Sequence, residues 1–284
     1  MKRLPYLLNL LICFSIFFPG CSKKIDLALP PHNPELVLNG VFNPDTVFMV
    51  DLSSSNPMSS DQDFSSVTNA SVKLFQNGNY LADLIHSKDG IYRAQINPQP
   101  LQKYEIKAAA PGFPDISASS HVPSPPIIEQ VKASVANPSD RTHSDKEVNV
   151  SMKLKDVSAE ENFYFVRAYA NAIDYSGHPY TKIVYLSFIS PDEHDFRREV
   201  RYFFSDKLLK TESSKLILHL ENSPDETTYI QIARVTEEYY RYGKTFDKHH
   251  SPDFNLHKTG VFNNIQNGLG IFAGYNAITL EVKP

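Results

Sequence analysis

Val72-Lys73-Leu74-Phe75-Gln76-Asn77-Gly78-Asn79-Tyr80-Leu81-Ala82-Asp83-Leu84-Ile85 holds two β-prone runs around an Asn-Gly pair. That pair is the strongest short hairpin signal, because both residues tolerate the positive φ that a turn matched to strand twist requires. Lys73 between Val72 and Leu74 adds the period of two of a half-buried strand. Asp89-Gly90 repeats the turn signal ahead of Ile91-Tyr92-Arg93-Ala94. On either side lie Leu36-Val37-Leu38, Val47-Phe48-Met49-Val50 and Tyr104-Glu105-Ile106-Lys107-Ala108. Short strands separated this closely by turn residues predict a β-sandwich over residues 35–122. Residues 53–66, rich in Ser, Asp, Asn and Pro, read as a long polar loop, mobile rather than binding.

Val122-Pro123-Ser124-Pro125-Pro126 then stops the pattern, since three prolines in four residues cannot occupy a central strand. A stiff connector at 123–126 is therefore expected, followed by a C-terminal β-rich domain over 127–284. Its strands are read at Ile127–Val135, 148–154, 163–170, 183–189, 200–204, Lys215–Leu220, Thr228–Val235 and 278–282. Residues 236–250 break the rule. Thr236 stands at a cap position, Glu237 and Glu238 fill the first turn, Tyr239, Tyr242 and Phe246 recur at helical spacing, and Lys248, His249 and His250 close the segment. Charge of the preferred sign at each end and one aromatic stripe predict an amphipathic helix packed on the second domain.

The chain opens with Lys2 and Arg3, an uncharged run from Leu4 to Gly20, and Pro19-Gly20-Cys21. These are a basic n-region, an apolar h-region and a small residue before a cut. A bilayer-spanning helix needs roughly 20 apolar residues, whereas Pro5, Asn9 and Pro19 interrupt this run. The other cysteine, Cys13, would leave with the leader, so Cys21 has no disulfide partner in the mature chain. A cysteine so placed resembles the bacterial lipobox, which makes Cys21 the lipid-bearing first residue. Residues 1–20 are expected as a lipoprotein signal peptide and 21–34 as a lipidated tether. From Ser22 to Pro34 that tether reaches about 43 Å when extended. Loss of Lys2 and Arg3 with the leader takes the 28 Lys and Arg to 26 against 32 Asp and Glu, a formal net charge of −6. A mildly acidic chain has no electrostatic footprint for nucleic acid.

Asn264-Ile265-Gln266-Asn267-Gly268-Leu269-Gly270-Ile271-Phe272-Ala273-Gly274-Tyr275, together with Glu238-Tyr239-Tyr240-Arg241-Tyr242, Leu38-Asn39-Gly40 and Ala110-Pro111-Gly112-Phe113-Pro114, resembles the domain-of-unknown-function 4249 family, lipoproteins of Bacteroidota. The similarity runs over the mature chain nearly end to end, and its closing motif is specific. It implies a two-domain β protein of the outer membrane, of a kind commonly encoded beside TonB-dependent receptors. The first domain also resembles, more generically, immunoglobulin or transthyretin-like sandwiches.

Signals for chemistry are few. Gly268, Gly270 and Gly274 are spaced G-x-G-x-x-x-G with no helix behind them, which is not a dinucleotide fingerprint. They are read instead as places where backbone approaches backbone beside Phe272 and Tyr275. His249, His250 and His257 with Asp247 and Asp253 lack metal-ligand spacing. Asp192-Glu193-His194-Asp195 reads as a solvated loop, and no nucleophile elbow or P-loop is present. No metal, cofactor or catalytic residue is expected. The lipid attachment site is Cys21. Candidate contact residues are Tyr239, Tyr240 and Tyr242 on the helix and Asn264, Asn267, Phe272 and Tyr275 in the closing motif, with Tyr240 expected to face outward. The expectation is a non-enzymatic outer-membrane lipoprotein serving a TonB-dependent receptor, with a structural or adhesive surface module as the alternative.

Overall fold

Asn77 and Gly78 take φ of 50° and 82°, and Asp89 and Gly90 take 48° and 80°, so both predicted turns have positive φ at their two central residues. The computed structural model of the chain describes residues 32–57, 63–135, 147–155, 161–189, 194–209, 215–223, 226–250 and 260–283. Cys21 lies outside them.

The first strands are β1 (Leu36–Phe42), β2 (Met49–Ser54), β3 (Ser65–Ser66), β4 (Ser71–Gln76), β5 (Asn79–Lys88), β6 (Ile91–Arg93), β7 (Lys103–Ala109) and β8 (Ile116–His121). They alternate as expected: along β1 the burial of Leu36, Leu38, Gly40 and Phe42 is interleaved with more exposed neighbours. The connector leads to β9 (Ile127–Val135), β10 (Val148–Lys155), β11 (Phe163–Ile173), β12 (Pro179–Val184), β13 (Leu186–Ile189), β14 (His194–Glu199), β15 (Tyr202–Ser205), β16 (Lys215–Leu220) and β17 (Thr228–Val235). A helix, α1 (Glu237–His250), and the long strand β18 (Leu269–Val282) complete the chain. Residues 192–195, expected as a loop, run into β14 at His194, while Asp192 and Glu193 lie outside the described residues.

Two sheets result. One has thirteen strands in the order β12-β11-β17-β18-β1-β2-β6-β5-β4-β7-β8, with β15 also on β11 and β3 on β2; the other has five, β14-β13-β16-β10-β9. The chain is thus mainly β with two sandwich-like cores and one amphipathic helix. The first core contains Leu36, Leu38, Phe48, Val50, Leu52, Leu74, Tyr104, Ile106 and Ile116. The second lies between the five-stranded sheet and β11, β12 and β17, with Val150, Met152, Tyr164, Val166, Leu186, Leu218 and Ile232.

One strand belongs to both. The first half of β18 pairs parallel with β1, from Val37 with Leu269 to Phe42 with Gly274. Its second half pairs antiparallel with β17, from Val235 with Tyr275 to Thr228 with Val282. The turn at 123–126 separates the strands of the two cores except for this closing segment, from which Ile265 and Phe272 enter the first core. Residues 34–284 accordingly form one compact unit.

Candidate functional site

The closing motif is the joint between the two cores. Asn264 holds Phe272 from both sides: its amide donates to the Phe272 carbonyl at 2.8 Å, and its oxygen accepts the Phe272 N–H at 2.9 Å. The side chain thereby substitutes for a neighbouring strand. Asn267 turns the chain at φ 59° and donates to the Asp115 carbonyl at 3.2 Å. Gln266 exchanges both backbone hydrogen bonds with Ser117, which brings the β8 edge back against the closing segment. Gly270 has φ 116°, and a Cβ there would sit 2.1 Å from the Leu38 carbonyl oxygen; one on Gly274 would sit 2.0 Å from that of His121. The close-approach reading of these two glycines therefore has a direct steric basis. Phe272 is fully buried and lies 4.7 Å, ring to ring, from Phe42. Asn264, Asn267 and Phe272 are thus committed to the fold.

The connector is fastened to the same joint. Asn276 donates to the Pro123 carbonyl at 3.1 Å, and Arg234 to the Ser124 hydroxyl at 2.6 Å. Arg234 also donates to Asn162, whose amide in turn donates to Asp206.

Helix α1 covers the outer face of β11, β15, β17 and β18. Beneath it Phe165, Phe203, Ala233 and Val235 form a third cluster, against which Phe163, Tyr239, Tyr240 and Tyr275 pack. Gly243 marks the line of closest approach, since a Cβ there would meet the Phe203 ring at 2.3 Å. On a helix of 100° per residue, Tyr239 and Tyr240 flank that line on its two sides. Tyr239 packs edge-on to Phe165 and Phe203, and Tyr240 stacks on Phe163 at 4.7 Å. The expected outward placement of Tyr240 is therefore corrected: the buried face is centred on Gly243, not on the Tyr239–Tyr242 stripe. Tyr242 lies to one side and stacks on Phe246 at 5.7 Å. Burial pushes the Tyr239 hydroxyl up to about 12 and raises those of Tyr240, Tyr242 and Tyr275. The Tyr275 hydroxyl accepts from the Asn43 amide at 2.8 Å, tying the start of the second half of β18 to the first sandwich.

Thr236 stands at the cap position and accepts the Tyr240 N–H on its carbonyl, but its buried hydroxyl has no hydrogen-bond partner among the described residues. Its N–H donates instead to the Gly274 carbonyl at 3.2 Å, so the helix start is pinned to the joint. Asp247, weighed above as a metal ligand, pairs with Arg201 at 2.9 Å. Burial works against the Arg201 charge, and the Asp247 hydrogen bond together with the charge attraction of Asp247 and smaller contributions from Tyr239 and Tyr242 overcomes it, leaving the guanidinium above its ordinary value. Asp253 and His257 lie outside the described residues.

Beside the joint is an open polar cleft of about 350 Å³, lined by Lys103, Glu105, Ser117, Ser119, Glu238, Asn264 and Gln266. It draws on the first sandwich, on α1 and on the closing motif. Of its lining only Asn264 was marked by sequence. Apart from Gln266, its neighbour in the closing motif, the others are scattered over β7, β8 and the helix start, so no local pattern gathers them. Sequence reasoning also missed the β11–β12 hairpin arm, where Ile173, Tyr175, Tyr180 and Ile183 stand exposed. Tyr175 and Tyr180 flanking Ser176-Gly177-His178-Pro179 are aromatic residues in a turn, the one signal available.

A two-core β protein whose last strand is shared between the cores is the class these features define. Residues 22–281 match the model of the domain of unknown function DUF4249, and the protein belongs to that family. No curated protein sequence matches the chain. Among solved structures it is similar to the chicken CNTN1 FN1–FN3 domains at 14% identity, covering 90% of this chain and 69% of that one with a TM-score of 0.28. It is also similar to a DUF3823 family protein from Parabacteroides merdae at 8% identity, covering 72% of this chain and 92% of that one with a TM-score of 0.18.

Proposed function

We propose that the protein is a non-enzymatic lipoprotein of the outer membrane, anchored through acyl chains on Cys21, that binds and assists a TonB-dependent receptor in nutrient uptake. One observation carries the anchoring: the family match begins at residue 22, immediately after the cysteine that closes a basic and apolar leader. Family regions that start at a lipidation site fit a protein whose mature chain begins there. The closing motif does not itself carry a binding role, since Asn264 and Phe272 are held in the joint and Asp247 by Arg201; the polar cleft beside it, lined by Lys103, Glu105 and Glu238, is what supports one. Labelling cells with an alkyne-bearing fatty acid tests the anchor. Label is expected on the wild type and lost in Cys21→Ser; label that persists in the variant overturns it. Co-purification of the lipidated protein with an outer-membrane receptor tests the partnership, and its absence leaves the adhesive surface module as the better reading.

A further inference from the structure

The cleft beside the joint has its floor on the first sandwich. Lys103 and Glu105 lie on β7 and Ser117 and Ser119 on β8, with Glu105 paired to Ser119 across the two strands. Tyr104, Ile106, Ala118 and Ser120 between them are buried, so the four polar side chains stand on the outer face of the sheet. Glu238 in the first turn of α1 and Gln266 of the closing motif add to the lining. Glu105 is already ion-paired with Lys107 at 3.1 Å, which leaves one cation, Lys103, and one half-buried carboxylate, Glu238. Among the described residues neither of these makes a side-chain hydrogen bond or ion pair, and nor does the Ser119 hydroxyl. The Gln266 amide oxygen accepts the Ser117 hydroxyl at 3.1 Å, and its NH2 group remains to donate.

That set of groups selects the ligand. An ammonium and an amide NH2 only donate, a carboxylate only accepts, and a hydroxyl does both. A ligand that satisfies them together offers donors and acceptors at close spacing and no net charge. An anion would meet Glu105 and Glu238, a cation would meet Lys103, and an apolar molecule would leave every one of these groups unpaired. The neighbouring hydroxyls of a sugar ring fit, since each donates to one group while accepting from another. At about 350 Å³ the cleft sits at the small end of the ligand-pocket range, with room for about one or two such rings. Beyond Glu105 the same outer face carries Phe75 and then Tyr80, each one strand further on. The Lys107 ammonium covers Phe75 at 4.8 Å, whereas Tyr80, edge-on to Phe75 at 5.9 Å, is 57% exposed. Two strand spacings put Tyr80 roughly 10 Å from Glu105. The negative face of an aromatic ring attracts the C–H face of a sugar, so a chain of sugars leaving the cleft across the sheet reaches a stacking partner. A free amino acid matches Lys103 and Glu238 but has no use for the hydroxyl floor or the ring.

We propose that this cleft binds a neutral saccharide, its hydroxyls held by Lys103, Ser119, Glu238 and Gln266 and any further ring laid against Tyr80. The inference rests on the binding role proposed above, to which it adds the class of ligand. The test presents the full lipidated protein, in detergent micelles, to an array of neutral and acidic glycans, with glycine in excess as a zwitterionic competitor. Neutral glycans are expected to be retained in the presence of glycine. Glu238→Gln is expected to weaken retention about tenfold, the worth of one hydrogen bond to a charged group. Glu237→Gln, the same charge change on the exposed neighbour, is expected to leave it unchanged. Tyr80→Ala is expected to weaken longer glycans several-fold and to leave monosaccharides as they were. Retention of no glycan, preference for acidic glycans, displacement by glycine, equal loss in the two Glu variants, or long glycans held undiminished by Tyr80→Ala overturns the inference. A protein that retains no glycan yet co-purifies with a receptor sinks the inference alone, and one that retains glycans yet recovers no receptor sinks the receptor partnership alone.

Discussion

The second core takes all its strands from one stretch of chain, β9 to the end of β18, whereas residues 35–122 cannot complete the first core alone. Ile265 and Phe272 must reach it from the opposite end of the sequence, and β1 has no parallel neighbour until β18 arrives. The helix makes the same contrast from the other side: the side chains it packs on, Phe165, Phe203, Ala233 and Val235, all follow the connector in sequence. A core closed by remote residues depends on the geometry of the closure, and here that geometry rests on backbone contacts only glycine permits. The stability of the first sandwich is therefore held hostage at a few positions, while that of the second is spread over many.

Gly270→Ala is the sharpest way to break this asymmetry. It sets a Cβ against the Leu38 carbonyl at a φ of 116°, and a loss on the order of 5 kcal/mol is expected from clash and strain together. Hydrogen exchange should show β1 amides opening well before those of β10; equal loss of protection in both would refute the contrast. Phe272→Ala empties the first core without touching the backbone, at about 3–5 kcal/mol in urea unfolding. The same order of protection loss is expected.

Alkaline pH addresses the other region. Tyr239 titrates near 10 in an unfolded chain and is raised to about 12 by burial under the helix. The folded state thus holds that proton more tightly, so its contribution is complete below about pH 10 and drains away as the pH climbs toward 12, by about 2–3 kcal/mol. Tyr239→Phe should flatten this part of the pH–stability curve, measured by urea unfolding at fixed pH. A curve unchanged by the substitution would assign the loss elsewhere. The smallest effect belongs to Gly78→Ala, which has positive φ but open space around its Cβ. About 1 kcal/mol is expected there, and a penalty matching that of Gly270→Ala would show that φ alone, not the joint, sets the cost.

How much of this was readable beforehand follows from where each signal resides. Asn77-Gly78 and Asp89-Gly90 encode their φ locally, and strands with one wet face, such as β4 and β7, advertise it by alternation. Strand β18 advertises nothing over its first half, because Ile271, Phe272, Ala273 and Gly274 are buried in succession between the core, β8 and the helix start. Only its last residues were read as strand. Strand β8 went unread because Ser alternates with Ile and Ala, although Ser120 faces inward and accepts the Gly274 N–H on its hydroxyl at 3.3 Å. Tyr240 was misplaced because the aromatic spacing outweighed Gly243, the residue whose small size actually locates the helix seat. The closing motif was legible as important and as structural, yet the identity of its neighbours was not, since Ser117 and Leu38 lie far away in sequence.

The pairing of β1 with β18 also sets a clock. The two strands begin at Leu36 and Leu269, so a chain growing at about 5–20 residues per second exposes the first for roughly 10–50 s before the second exists. During that interval the edge of β1 is open and the N-terminal half cannot close over its apolar residues. Long-range pairing of this kind is slow in its own right. The first core therefore closes only once residues 269–274 are available to pair with β1.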